Sequence, residues 1–136
     1  VVLGIFGVIA LFVAAIGLIN TMTITLLERT NEIGIMRAIG ASPQDIKRLF
    51  LGESLIIGFL GGVGGILLGF LGSKGFNWLV NILAKTLGGQ TVNLFYFPTW
   101  FIVFIVLLSS LVGLIGGFFP SQRASKLNPL EALRYK

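Results

Sequence analysis

A chain of 136 residues, 55% hydrophobic and only 11% charged, with a mean hydropathy of +0.98, lies outside the composition of soluble domains and reads as a membrane protein. Its net charge of +5 would point a soluble domain toward nucleic acid, but six of its ten basic residues (29, 47, 48, 74, 123 and 126) flank apolar runs. They read as membrane-topology signals, and no nucleic-acid partner is expected. The chain has neither Cys nor His, so disulfides, thiolate metal sites and imidazole metal sites are excluded and no metal is expected.

Residues 1–27 carry no charge. At about 1.5 Å per residue they form a helix of roughly 40 Å, longer than the approximately 30 Å hydrocarbon core, and they make the first transmembrane helix. Its polar end holds Asn20, Thr21, Thr23 and Thr25. Asn20 reads either as an interfacial residue near the headgroups or as a hydrogen-bonding group between helices. The run opens on Val1, without a basic segment or a small-residue cleavage site, so the chain is expected to continue a longer one.

Residues 28–53 hold eight of the fifteen charged residues and read as two short helices joined by a turn. Gly40 can close the first in the left-handed conformation. Ser42 can cap the second, with Pro43 at the first helical position and Asp45 three residues on to complete a capping box. On a helical wheel Ile33, Ile35, Met36 and Ile39 share a broad arc into which Glu32 intrudes, and Arg29 is the expected ion-pair partner of Glu32. Ile46, Leu49 and Phe50 share a face of the second helix. The segment is thus an amphipathic elbow, either solvated or docked on a partner.

Residues 54–73 form a second uncharged span. Gly61, Gly65, Gly69 and Ser73 recur every four residues, and Gly58 with Gly62 makes a parallel row. Small residues at that spacing let helices approach closely. Residues 74–97 read as a loop, with Trp78, Tyr96 and Trp100 at an interface and Gly88, Gly89 and Pro98 marking a turn. A third span covers 98–120, carries Ser109, Gly113 and Gly117 four apart, and ends at Pro120. Residues 121–136 form a basic tail. Segments 28–53 and 121–136 each hold four Lys or Arg against two in 74–97, so the first two are expected to be cytoplasmic and the third extracytoplasmic. The fold class is an all-α membrane protein, with three transmembrane helices and a cytoplasmic coupling-helix elbow between the first and second.

Catalytic chemistry has no foothold in these residues. No phosphate-cradling GxxxxGK[ST] occurs, and GGVGG at 61–65 lies inside a span with no strand before it. Without His or Cys, and with every carboxylate at or beyond a membrane boundary, no nucleophile and base can be paired, so no enzyme is expected. The spans contain no Asp, Glu, Lys or Arg of the kind that marks ion pathways, which argues against a secondary transporter.

The segment ERTNEIGIMRAIGAS, the entry through Glu53 and Ser54 into a glycine-rich span, and the tail PSQRASKLNPLEALRYK together resemble the C-terminal membrane part of FtsX/MacB-type ABC transporter permeases. The resemblance runs through essentially the whole chain in order. It implies a multi-pass protein of a prokaryotic plasma (inner) membrane that pairs with a second permease chain in a dimer and with a cytoplasmic ATP-binding cassette ATPase. ATP and magnesium would be bound by that ATPase, with no cofactor in this chain. It further implies that Glu28, Arg29, Glu32, Ile33, Gly34, Met36, Arg37 and Gly40 form a coupling helix seated on the ATPase. Gly58, Gly61, Gly62, Gly65, Gly69, Gly113 and Gly117 are the helix-packing residues read from spacing. The expected function is transmission of ATP-driven motion across the membrane for export or extrusion. The alternatives are an ATPase-permease signalling complex that regulates a cell-wall hydrolase or senses antimicrobial peptides, and a membrane scaffold outside the ABC class.

Overall fold

The computed structural model describes residues 2–86, 88, 90 and 95–127, and these are helical apart from turns. Four helices follow in order: α1 (Val2–Glu28), α2 (Thr30–Ala38), α3 (Pro43–Thr86) and α4 (Thr99–Ser125). Among the described residues there is no strand. Three helices, α1 from Gly4 onward, α3 and α4, are long and apolar enough to cross a membrane. Helix α4 is central, with α3 running antiparallel along it and α1 parallel beside it through Leu18 against Gly116.

Two expected boundaries do not exist in the fold. Helix α3 is 44 residues long, about 66 Å, and runs through both 53/54 and 73/74. The second short helix of the charged segment is therefore the first part of the membrane helix, and Lys74–Thr86 is helix rather than loop. The physical reason is that no proline interrupts α3 after Pro43, and glycines such as Gly72 and Gly75 are tolerated in a membrane helix. The helix stops at Gly88, whose φ of +76° favours glycine and whose N–H donates to the Lys85 carbonyl at 3.2 Å.

The third span likewise does not end at Pro120. Pro120 lies buried inside α4, which continues to Ser125. A proline ring forfeits one backbone hydrogen bond and crowds the carbonyl four residues back. Here Ser121, the next residue, and Ala124, one turn on, are fully buried, so continuing the helix fills the core beyond the proline. The expected NPxEALR part of the tail lies outside the described residues, as do Gly89 and residues 91–94.

The core lies at one end of the bundle. Met22 and Leu26 from α1, Ile33 from α2, Ile46 and Phe50 from α3 and Ala124 from α4 are buried together, with Leu18, Met36, Ala41 and Leu127 packed against them. At the opposite end the chain returns along α3 through edge-to-face ring pairs, Phe97 on Phe70 at 6.1 Å and Phe95 on Phe76 at 5.8 Å. Trp78, Tyr96 and Trp100 are exposed there.

The α3–α4 contact is a seam of small residues. Ser54, Gly58 and Gly62 on α3 face Gly117, Gly113 and Ser109 on α4, so each helix offers a serine and two glycines four apart, in opposite order. A Cβ at Gly58 would lie 2.6 Å from the Ser109 carbonyl oxygen, and one at Gly113 would lie 2.6 Å from the Ser54 carbonyl oxygen. The two serine hydroxyls sit against Gly117 and Gly62 and donate within their own helices, to Leu51 and Val106. Gly61, Gly65 and Gly69 do not join this seam. Nothing stands within 4 Å of a Cβ built on any of them, because they project from α3 at a different angle from the α4 contact. Gly61 and Gly65 instead line an open groove of about 370 Å³ that Leu11, Leu18 and Val112 also border.

Candidate functional site

The charged segment places α2 between α1 and α3, and local chemistry sets both of its ends. Arg29 breaks the helix with φ −96° and ψ 12°. The Thr30 hydroxyl donates to the Leu26 carbonyl at 2.9 Å, the kind of back-bonding that bends helices. At the other end Gly40 has φ +107°. Its N–H donates to the Arg37 carbonyl at 3.2 Å, and the Ala41 N–H donates to the Met36 carbonyl at 2.9 Å. Together these form a complete Schellman closure.

The start of α3 follows as the capping chemistry predicts. The Asp45 carboxylate accepts from the Ser42 N–H at 3.0 Å and the Ser42 hydroxyl at 2.6 Å, while the Asp45 N–H donates back to that hydroxyl oxygen at 3.2 Å. The Ser42 side-chain hydrogen bond, with its backbone partner second, holds the Asp45 carboxyl below its ordinary value. Asp45 lies outside the apolar span.

The proposed contact residues separate into two faces. Ile33 and Gly34 are buried, and Met36 packs against the core, so these three hold α2 to the bundle. The Arg37 guanidinium donates through Nη1 to the Ala41 carbonyl at 3.3 Å, while its buried Nε has no partner among the described residues. The expected Arg29–Glu32 pair does not form. Arg29 reaches α3 instead, with Nη1 3.6 Å from Glu53 Oε1, because the bend at Arg29 turns its side chain toward the neighbouring helix. Asn20 is exposed on α1.

The outward face is made of Glu28, Glu32, Ile35 and Ile39, spaced four, three and four residues apart, with exposed Gly40 at its end. Ile35 and Ile39 were absent from the expected contact set, yet Ile39 is 82% exposed while Ile33 is fully buried. The sequence did hold a signal. The two glutamates mark the solvent stripe, and extending their spacing reaches Ile35 and Ile39. The resulting surface is an apolar pair with two acids before it, on a helix fixed from behind. It can seat a partner and holds no constellation for bond chemistry. Among the described residues no group of His, Cys, Asp or Glu is placed to hold a metal.

Residues 4–129 match the model of the FtsX-like permease C-terminal domain. The chain is 46% identical over 137 aligned residues to the ABC transporter permease YtrF of Bacillus subtilis, with 94% of this chain covered. It is 41% identical to an ABC transporter permease of Methanocaldococcus jannaschii, with 93% of this chain covered. It is also 41% identical to the macrolide export ATP-binding/permease protein MacB of Bdellovibrio bacteriovorus, with 94% covered. The chain spans 30% of the length of the first two and 18% of the third. With three helices able to cross a membrane and relatives in bacteria and archaea, it is a multi-pass protein of a prokaryotic plasma membrane. The chain belongs to the FtsX-like permease family, of the kind found in ABC transporters.

Proposed function

We propose that this chain is the membrane-transmission part of an ABC permease, and that the exposed stripe of Glu28 at the end of α1, Glu32 and Ile35 of α2 and Ile39 at its C-cap is the seat of an ATP-binding cassette partner on the cytoplasmic side. The observation that carries this reading is the contrast between the interior of α2 and its C-cap. Ile33 is fully buried, while Ile39, two turns along, is 82% exposed beyond the apolar span. An isolated exposed isoleucine is ordinary, but two on one stripe with two acids ahead of them suit a helix-in-groove contact with an apolar partner that carries a basic group at one end.

Transmission follows from how α2 is held. A push on α2 bears on a packed core that includes α1, α3 and α4, and the Arg29–Glu53 pair links the α1–α2 bend to α3 directly. Close-packed interiors deform little, so displacement of α2 travels into the membrane helices instead of dissipating locally. The spans 1–27 and 54–73 carry no charge, which suits stiff levers better than a polar conduit. ATP and magnesium belong to the partner, and hydrolysis occurs there. Two permease chains complete the complex. The names of the MacB relatives and of a probable syringafactin export protein of Pseudomonas syringae, 38% identical, favour export as the outcome.

These 136 residues hold no cysteine, so the test introduces one, with any cysteine elsewhere in the full-length permease replaced by serine. Ile39→Cys in the full-length permease, joined to a photo-crosslinker in native membranes, is expected to capture an ATP-binding cassette protein. Labelling of lipid alone, with insertion intact, overturns the docking role.

A further inference from the structure

Leu51 of α3 and Leu114, Ile115, Phe118 and Phe119 of α4 line an open groove of about 400 Å³. This lining is entirely apolar, but its mouth is not. Lys47 stands four residues before Leu51 on α3, one helical turn toward the core end, and its Nζ lies 4.7 Å from the centroid of the Phe118 ring. On α4, Arg123 stands four residues after Phe119. Because the two helices run in opposite directions, both put a cation one turn beyond the groove at the same end. Lys47 is half-buried, its stem lying along apolar surface with the ammonium at the edge, and Arg123 is exposed. Among the described residues the only ion pair is Arg29 with Glu53, so no described carboxylate pairs with either cation.

The combination selects its occupant. A soluble anion would leave the apolar trough unused, and an apolar helix laid in the trough would cover Lys47 without answering its charge. A molecule with a phosphate at one end and a hydrocarbon chain behind it satisfies both parts, and basic pockets between membrane helices are suited to such headgroups. We propose that Lys47, Arg123 and the α3–α4 groove bind an anionic glycerophospholipid. Its phosphate sits at the two cations, and one acyl chain lies along Phe118, Ile115 and Leu114. Lys47 and Leu51 directly follow Ile46 and Phe50, the α3 members of the core, so a bound lipid braces the part of α3 that anchors α2. The proposal does not depend on the identity of the docking partner.

The full-length permease is reconstituted in nanodiscs of equal phosphatidylglycerol and phosphatidylcholine, and lipids retained after detergent release are counted by native mass spectrometry. Wild type is expected to retain phosphatidylglycerol in preference to phosphatidylcholine. Lys47→Gln should lower that retention roughly five-fold, the worth of one interfacial cation, and Lys47→Arg should restore it. Arg48→Gln, the same charge change at the adjacent exposed position, should leave retention unchanged. Equal losses in Lys47→Gln and Arg48→Gln would reduce the effect to diffuse surface charge and overturn the site. Equal retention of both lipids, or none by wild type because another helix or a second copy fills the groove, overturns it as well.

Discussion

Gly58 and Gly113 face each other across α3 and α4 so closely that a Cβ on Gly113 would lie 2.9 Å from the Gly58 Cα, and one on Gly58 would lie 3.0 Å from the Gly113 Cα. Backbone meets backbone at this point, and no flexible side-chain tip is available to move aside. Gly58→Leu or Gly113→Leu should therefore force the helices apart, at a cost of about 1–3 kcal/mol or more. Gly61→Leu and Gly69→Leu, on the row with open space around it, should leave thermal stability of the purified chain within about 0.5 kcal/mol of wild type. Melting of the four variants in one detergent checks both halves. Equal loss from the two rows would remove the seam as the source of α3–α4 packing.

Ile33 and Ile39 should separate stability from partner stimulation. Ile33→Ala hollows a fully buried site and should cost about 2–5 kcal/mol. Ile39→Glu, at an exposed position, should leave the melting temperature unchanged while lowering permease-stimulated ATP hydrolysis by the proposed ATPase partner. Unaltered stimulation in a correctly inserted Ile39→Glu chain would count against the α2 stripe.

Gly40 tests backbone conformation apart from space. Nothing stands within 4 Å of a Cβ built there, yet its φ is +107°. Gly40→Ala should cost about 1–2 kcal/mol through strain alone, read as faster proteolysis in the α2–α3 turn. Gly52→Ala, equally uncrowded but in ordinary helical geometry, is the matched control and should show no such effect.

The capping box at Ser42 and Asp45 predicts a pH dependence with a definite sign. The folded state holds the Asp45 carboxyl below its ordinary value of 3.8, so the unfolded chain binds the proton more readily. The stabilisation is complete above 3.8 and is lost as pH falls through the lower folded value. Amide protection factors in the first turn of α3 should fall over that acid range in wild type. Asp45→Asn should flatten the profile, and Ser42→Ala should lower protection at neutral pH by about 1 kcal/mol.

Arg29 and Glu53 are partly exposed, with side chains 48% and 33% accessible and a 3.6 Å separation. A double-mutant cycle should return a coupling of about 0.2–1 kcal/mol that fades in high salt. The exchange of charges in Arg29→Glu with Glu53→Arg should recover most of it. A coupling between Arg29 and Glu32 instead would contradict the bend.

The amino-acid order by itself determined the features that depend on near neighbours. The uncharged runs specify membrane helices, because a bilayer leaves the backbone no partner but itself. Gly40 ends α2 and Ser42, Pro43 and Asp45 start α3, because those contacts close within five residues. Even the seam was half visible, as serine and glycine four apart on both α3 and α4. Only the tertiary structure decided which of two glycine rows on α3 meets α4, whether Arg29 turns to Glu32 or Glu53, and which isoleucines of α2 face inward. It also decided that α3 runs unbroken from the turn at Ser42 through the membrane, and that α4 passes Pro120 to bury Ser121 and Ala124. Periodicity marks a face as small, apolar or charged. What that face meets is set by residues distant in the chain, whose placement no local pattern encodes.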